Sequence, residues 1–152
     1  MPRWPADPQT WKPRETTFDV PNVGTVECVA SFVKSEAEGT GKHYAEPRGP
    51  WVENLRTHWQ VTLSFNGQEI SSPFSQGSAH MAPPDAQSVA SCLAMDAQAG
   101  TEEFEEFASN FGYDSDSRKA YAVWEECRNT ELRIRRMFGS LFDTLCEWAN
   151  DQ

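Results

Sequence analysis

Residues 59–65 alternate strictly, with Trp59, Val61, Leu63 and Phe65 apolar and Gln60, Thr62 and Ser64 polar between them. Successive side chains of a strand point to opposite faces, so a period of two predicts a half-buried strand. Asn66-Gly67 follows at once. A two-residue hairpin turn needs positive φ at both central positions, which this pair adopts at low cost. The chain is therefore expected to return as a strand over residues 68–74, with Pro73 ending it or holding it at an edge. Residues 25–34 set Val26, Cys28, Ala30 and Phe32 against Glu27, Val29, Ser31 and Val33. The second set is itself partly apolar, which predicts another strand with both faces partly covered.

Beyond residue 85 the period becomes helical. Asp85 is placed to cap a helix carrying Val89, Cys92, Leu93 and Met95 inward, and Gly100 to end it. A short second helix from Thr101 would set Phe104, Phe107 and Phe111 on one face as its anchor. Glu102, Glu103, Glu105 and Glu106 would then point outward, the first two favoured by the helix N-terminus. Residues 112–117 offer a turn and several caps for the longest helix, whose stripe is Ala120, Val123, Trp124, Cys127, Ile134, Met137 and Phe138. Gly139 and Ser140 interrupt it, Ser140 with Asp143 resembling a capping box, and a last helix buries Leu141, Phe142, Leu145 and Trp148. The expected fold class is α+β, a three-stranded antiparallel sheet in the N-terminal half packed by about four helices in the C-terminal half.

Proline changes the reading of the first residues. Pro2, Pro5, Pro8, Pro13 and Pro21 forbid helix and disfavour a central strand, which predicts an extended arm over residues 1–24. Its Trp4, Trp11 and Phe18 would lie on the domain surface or dock on a partner. Residues 35–55, with Gly39, Gly41, Pro47, Gly49 and Pro50, hold no period and read as a long loop. The organisation expected is thus an arm and a single α+β domain over residues 25–150.

A chain of 152 residues with 38% hydrophobic content can build one core. Neither a basic-then-apolar leader nor an apolar run near the roughly 18 residues of a membrane span is seen. A cytoplasmic protein without membrane attachment is expected. Cys28, Cys92, Cys127 and Cys146 follow neither zinc-ligand spacing nor a disulfide framework, and are expected reduced and mostly buried.

Charge is distributed unevenly. Residues 57–117 contain no lysine or arginine but carry Glu69, Asp85, Asp96, Glu102, Glu103, Glu105, Glu106, Asp114 and Asp116, so nearly all of the net charge of -10 resides there. Segregation of this kind bears on what the surface meets rather than on the fold. Asp96, Glu102, Glu103, Glu105, Glu106, Asp114 and Asp116 are the candidate interface, a carboxylate track able to imitate phosphates toward a nucleic-acid-binding protein. The bland alternative is a face that only keeps the chain in solution. Arg128, Arg133, Arg135 and Arg136 form a local basic patch, but the overall charge argues against direct duplex binding, which rests on cationic surface.

Signals for chemistry are weak. Gly39-Thr40-Gly41-Lys42 lacks the glycine and hydroxyl residue that a phosphate loop needs at positions 36 and 43. Asp114-x-Asp116 with Glu125 has Arg118 and Lys119 where a calcium loop requires a ligand and a glycine. His43, His58 and His80 have no paired helical spacing. No catalytic motif, no metal and no cofactor is expected.

Five segments carry a resemblance. They are Trp59-Gln60-Val61-Thr62-Leu63, Pro73-Phe74-Ser75-Gln76-Gly77-Ser78-Ala79-His80, Ser91-Cys92-Leu93-Ala94-Met95-Asp96-Ala97, Phe104-Glu105-Glu106-Phe107 and Phe111-Gly112-Tyr113-Asp114-Ser115-Asp116-Ser117-Arg118-Lys119-Ala120. Together, over residues 57–148, they resemble a family of small uncharacterised proteins encoded by bacteriophages and prophages. The arm, first strand and loop depart from that pattern. The resemblance implies an inhibitor of host defence, anti-CRISPR proteins included, which acts without catalysis on a host protein with a basic nucleic-acid-binding groove. A small phage enzyme acting on a nucleotide or protein, its site assembled from the 39–50 loop, His80 and the acids, is the alternative, as is a structural or packaging accessory.

Overall fold

A computed structural model describes residues 12–37, 55–76 and 82–152 of the chain. Trp4, Trp11, the 39–50 loop, His43 and His80 lie outside these residues. Four antiparallel strands pair in sequence order: β1 (Arg14–Val20), β2 (Gly24–Ala37), β3 (Leu55–Phe65) and β4 (Gln68–Gln76). Four helices follow: α1 (Ala86–Ala99), α2 (Phe104–Asn110), α3 (Arg118–Phe138) and α4 (Phe142–Asn150), with a 3-10 turn over Gly139–Leu141 joining the last two. The class is α+β, with strands and helices segregated along the chain.

Among the described residues the sheet has four strands where three were expected, because the proline-rich stretch contributes β1. Pro13 and Pro21 bracket seven proline-free residues in which Thr16, Phe18 and Val20 turn to the more buried side. Pro21 and Asn22 then reverse the chain. Val23 N–H donates to Val20 O at 3.0 Å and Asn22 has φ 63°, the proline-then-positive-φ order of a type II turn. β1 is also fastened to the start of α1. Arg14 Nη1 donates to Pro83 O at 2.7 Å, and the Ala86 N–H donates to Thr16 Oγ1 at 2.8 Å.

The expected hairpin is present, with Phe65 opposite Gln68 and positive φ at both Asn66 and Gly67. Counting from the turn, Pro73 opposite Gln60 falls at a non-hydrogen-bonded position of an edge strand. Its missing N–H therefore costs no ladder bond, and the strand runs on to Gln76. In β2 the register shifts between Phe32 and Lys34, so Val33 is an extra residue. The bulge turns Lys34 to the outer face, opposite His58, and Ser35 to the inner one, opposite the buried Thr57.

One face of the sheet carries the core. Val26, Cys28, Ala30, Trp59, Val61, Leu63 and Ile70 are buried beneath α1, the C-terminal half of α3 and α4. Phe65 stacks on Phe138 at 4.5 Å between ring centres, and Phe18 meets Trp148 at 5.5 Å. Among the described residues no helix covers the opposite face, where exposed Glu27, Gln60 and Ser71 alternate with the core positions.

The inner side of α1 differs from expectation. Val89 and Leu93 are buried, but their companions are Ala86, Ala90, Ala94 and Ala97, while Cys92 is exposed and Met95 is 47% exposed. Alanines let the helix lie close to its neighbours, and a row of four outweighs two larger side chains set off it. The Asp85 cap forms as expected, its Oδ1 accepting from Ser88 N–H at 2.9 Å. Ser140 does not cap α4; it lies within the 3-10 turn, and Leu141 stands at the cap position without a side-chain bond.

Candidate functional site

Past Gly100 the chain builds a second, aromatic cluster apart from the main core. α2 begins at Phe104 rather than Thr101, whose hydroxyl turns back to donate to Gln98 O at 2.7 Å and so closes the end of α1. Phe107 and Ala108 are buried against α3, yet neither they nor Ala120 and Trp124 belong to the sheet-centred core. Ring centres of Phe104 lie 5.2 Å from Tyr121 and 5.5 Å from Trp124, and Phe107 lies 4.8 Å from Phe111. The Trp124 indole N–H donates to Glu102 O at 2.9 Å, fixing the start of α2 on α3. The three phenylalanines do not act alike: Phe107 is buried, Phe104 half-buried and Phe111 56% exposed.

This cluster carries most of the candidate interface. Glu103, at the N-cap of α2, and Glu105 and Glu106 on it are exposed, and Asp114 and Asp116 are exposed on the turn that follows. Glu105 and Glu106 lie in the first turn, where a carboxylate is favoured by the unpaired N–H groups. Glu102 is half-buried, and its Oε2 accepts from Asn110 Nδ2 at 3.2 Å. The expected loop caps resolve to Ser117, whose Oγ accepts from Ala120 N–H at 3.1 Å.

Asp96 belongs elsewhere. It lines a cleft of about 390 Å³ with Ser72 and Pro73 of β4 and Glu126, Cys127, Thr130 and Arg133 of α3. Glu102 and Glu103 instead border a cleft with Trp124, Arg128, Glu131 and Arg135, on another side of α3. Although Asp96 is solvent-exposed, desolvation of its carboxyl by the cleft, and then the Glu126 carboxylate, raise it above the ordinary range. A raised folded-state value means that the protonated form stabilises the fold. This contribution is complete below the unfolded value, near about 3.9, and is lost as pH rises through the folded one. Asp96→Asn is therefore expected to raise the melting temperature at neutral pH, by roughly 1 to 2 °C once solvent screening is allowed for. The gain should vanish at about pH 3, where the parent is protonated. A gain that persists unchanged at acid pH would assign it to something other than the charge.

Thiol chemistry finds little support. Burial is the largest cause pushing the Cys28 and Cys127 thiols to about 11, with neighbouring carboxylates adding to it, so both stay protonated near neutrality. Among the described residues no cluster of three or more His, Cys, Asp or Glu could hold a metal ion. No described helix is long and apolar enough to cross a membrane.

The basic patch is largely engaged within the chain. Arg133 Nη2 donates to Ser71 O at 2.5 Å, Arg135 pairs with Glu131, and the Arg128 guanidinium lies 5.0 Å from the Trp124 ring centre. Sequence reasoning did not find Phe111 as a surface residue, since its spacing reads as core, and it left Tyr121 unassigned; the cluster shows as separate because Phe107, Ala108, Ala120 and Trp124 are buried outside the sheet-centred core. In comparisons with known proteins, no family model, curated protein or solved structure matches this chain.

Proposed function

We propose that the protein binds a basic, nucleic-acid-binding surface of another protein and blocks it by occupying the phosphate track. The observation that carries this reading is the placement of Glu103, Glu105, Glu106, Asp114 and Asp116, all exposed on an aromatic cluster separate from the sheet-centred core. Charge held on an ordered helix and turn presents a fixed pattern to a partner, which favours fast, salt-sensitive association. The resemblance to phage and prophage proteins supports a host protein as the target, an antiviral nuclease complex such as a CRISPR effector being the fitting class.

Changing Glu102, Glu103, Glu105 and Glu106 together to Gln removes four charges while nearly preserving size and helix propensity. The variant is expected to fold, to bind a partner captured from host lysate roughly tenfold more weakly at low salt, and to compete less well with nucleic acid. Gln at Arg133 and Arg136 should not weaken capture. Equal affinity of the glutamate variant and the parent at low salt would reject this reading.

A further inference from the structure

We propose that the α2–α3 surface selects arginine over lysine in its partner, the guanidinium planes stacking on the exposed rings of Phe111 and Tyr121 between the flanking carboxylates. This rests on the acidic-surface reading above and specifies the chemistry of the partner. Phe111 is 56% and Tyr121 46% exposed, although each ring packs against another ring of the aromatic cluster. Neither ring is loose. Phe111 leans on Phe107 at 4.8 Å, and Tyr121 lies 5.2 Å from Phe104 and 5.3 Å from Trp124. A ring already held by its neighbours loses little side-chain freedom when a partner covers it. Tyr121 sits by Phe104, the first residue of α2, and Phe111 lies just past the last, about 10 Å further along the helix axis at 1.5 Å per residue.

The surroundings decide what fits. An exposed ring alone would suit an aliphatic side chain, but the helix and turn on either side of Phe111 expose Glu103, Glu105, Glu106, Asp114 and Asp116 against Arg118 and Lys119 at the start of α3, a balance that calls for a cation. A guanidinium is flat and weakly hydrated, and can lie on a ring while its edge N–H groups donate to carboxylates. An ammonium is a compact, strongly hydrated charge that gains from the carboxylates but less from the ring. The chain uses the arginine arrangement itself. The Arg135 guanidinium lies 4.1 Å from the Phe142 ring centre while its Nε donates to Glu131, and Arg128 lies over Trp124. The partner surface is accordingly an arginine-rich segment or groove of a protein.

The test titrates nona-arginine and nona-lysine into the full chain by calorimetry at low salt. The parent is expected to bind the arginine peptide at least roughly fivefold more tightly. Phe111→Ala with Tyr121→Ala should remove that preference and leave lysine binding unchanged, whereas the four-glutamine variant should weaken both peptides. Phe111→Leu alone, which keeps apolar area but removes the ring, should also reduce the preference, with circular dichroism confirming the fold. Equal affinities of the parent for the two peptides would overturn the stacking proposal, as would equal losses in the aromatic variant or a preference retained with leucine. All three leave the acidic-surface reading standing. Unchanged binding of both peptides by the glutamine variant would overturn that reading and this one together.

Discussion

Leu63→Ala is expected to lower stability by about 2 to 5 kcal/mol, read as a shift in the denaturation midpoint with little change in slope. Leu63 is fully buried in β3, an interior strand, opposite Cys28 on one side and Ile70 on the other. Strands paired on both sides cannot move inward to fill the space left by three lost carbons. The helices above are held by contacts of their own, including Phe65 against Phe138. A cavity should therefore remain, which places the cost in the upper part of the range. Gln60→Ala, on the exposed face of the same strand, should stay within about 0.5 kcal/mol. A cost below about 1 kcal/mol for Leu63→Ala would contradict the burial of this face.

That face was legible because its signals agree. Alternation over residues 59–65, the Asn66-Gly67 turn and a proline that spares the ladder all specify one register, and a slip by one residue would expose Trp59, Val61 and Leu63. β1 was hidden by the prolines around it. Five prolines read together mask the alternation of Thr16, Phe18 and Val20 between Pro13 and Pro21, although Pro21-Asn22 is itself a turn signal. The bulge at Val33 has no sequence mark beyond an apolar residue out of phase.

For the candidate surface, local spacing sufficed to place Glu105 and Glu106 outward, because they fall between Phe104 and Phe107, and Glu103 outward, because it directly precedes Phe104. It did not suffice for Asp96, whose surroundings are set by Glu126 and Cys127, thirty residues further on in another helix. Nor could it show that Phe111, one residue past the end of α2, is left exposed. Burial on a stripe depends on the partner's position as well as on the period.

Gly100→Ala is expected to destabilise by roughly 2 to 4 kcal/mol, lowering the melting temperature by roughly 5 to 12 °C. The reason is space rather than backbone freedom. Gly100 ends α1 with φ -70° and ψ -13°, a conformation that any residue adopts, so the glycine does not serve as a left-handed cap. In such geometry Gly→Ala would ordinarily stabilise by about 0.5 to 1 kcal/mol, through lower entropy of the unfolded chain. Here a Cβ would lie 2.2 Å from Cys127 O and 2.8 Å from Arg128 N. Those atoms are backbone in the middle of α3, where no rotamer can yield, so the helices must move apart. Gly100 also leads through Thr101 into α2, and Trp124, which holds α2 by its bond to Glu102 O, lies one turn from the contact. The variant should therefore speed hydrogen exchange at the Trp124 indole and weaken the acidic surface with no carboxylate altered. A melting temperature equal to or above the parent's would show that α1 and α3 do not approach this closely. Because the ordinary and the crowded outcomes differ in sign, this single substitution tests the helix contact that positions the candidate surface.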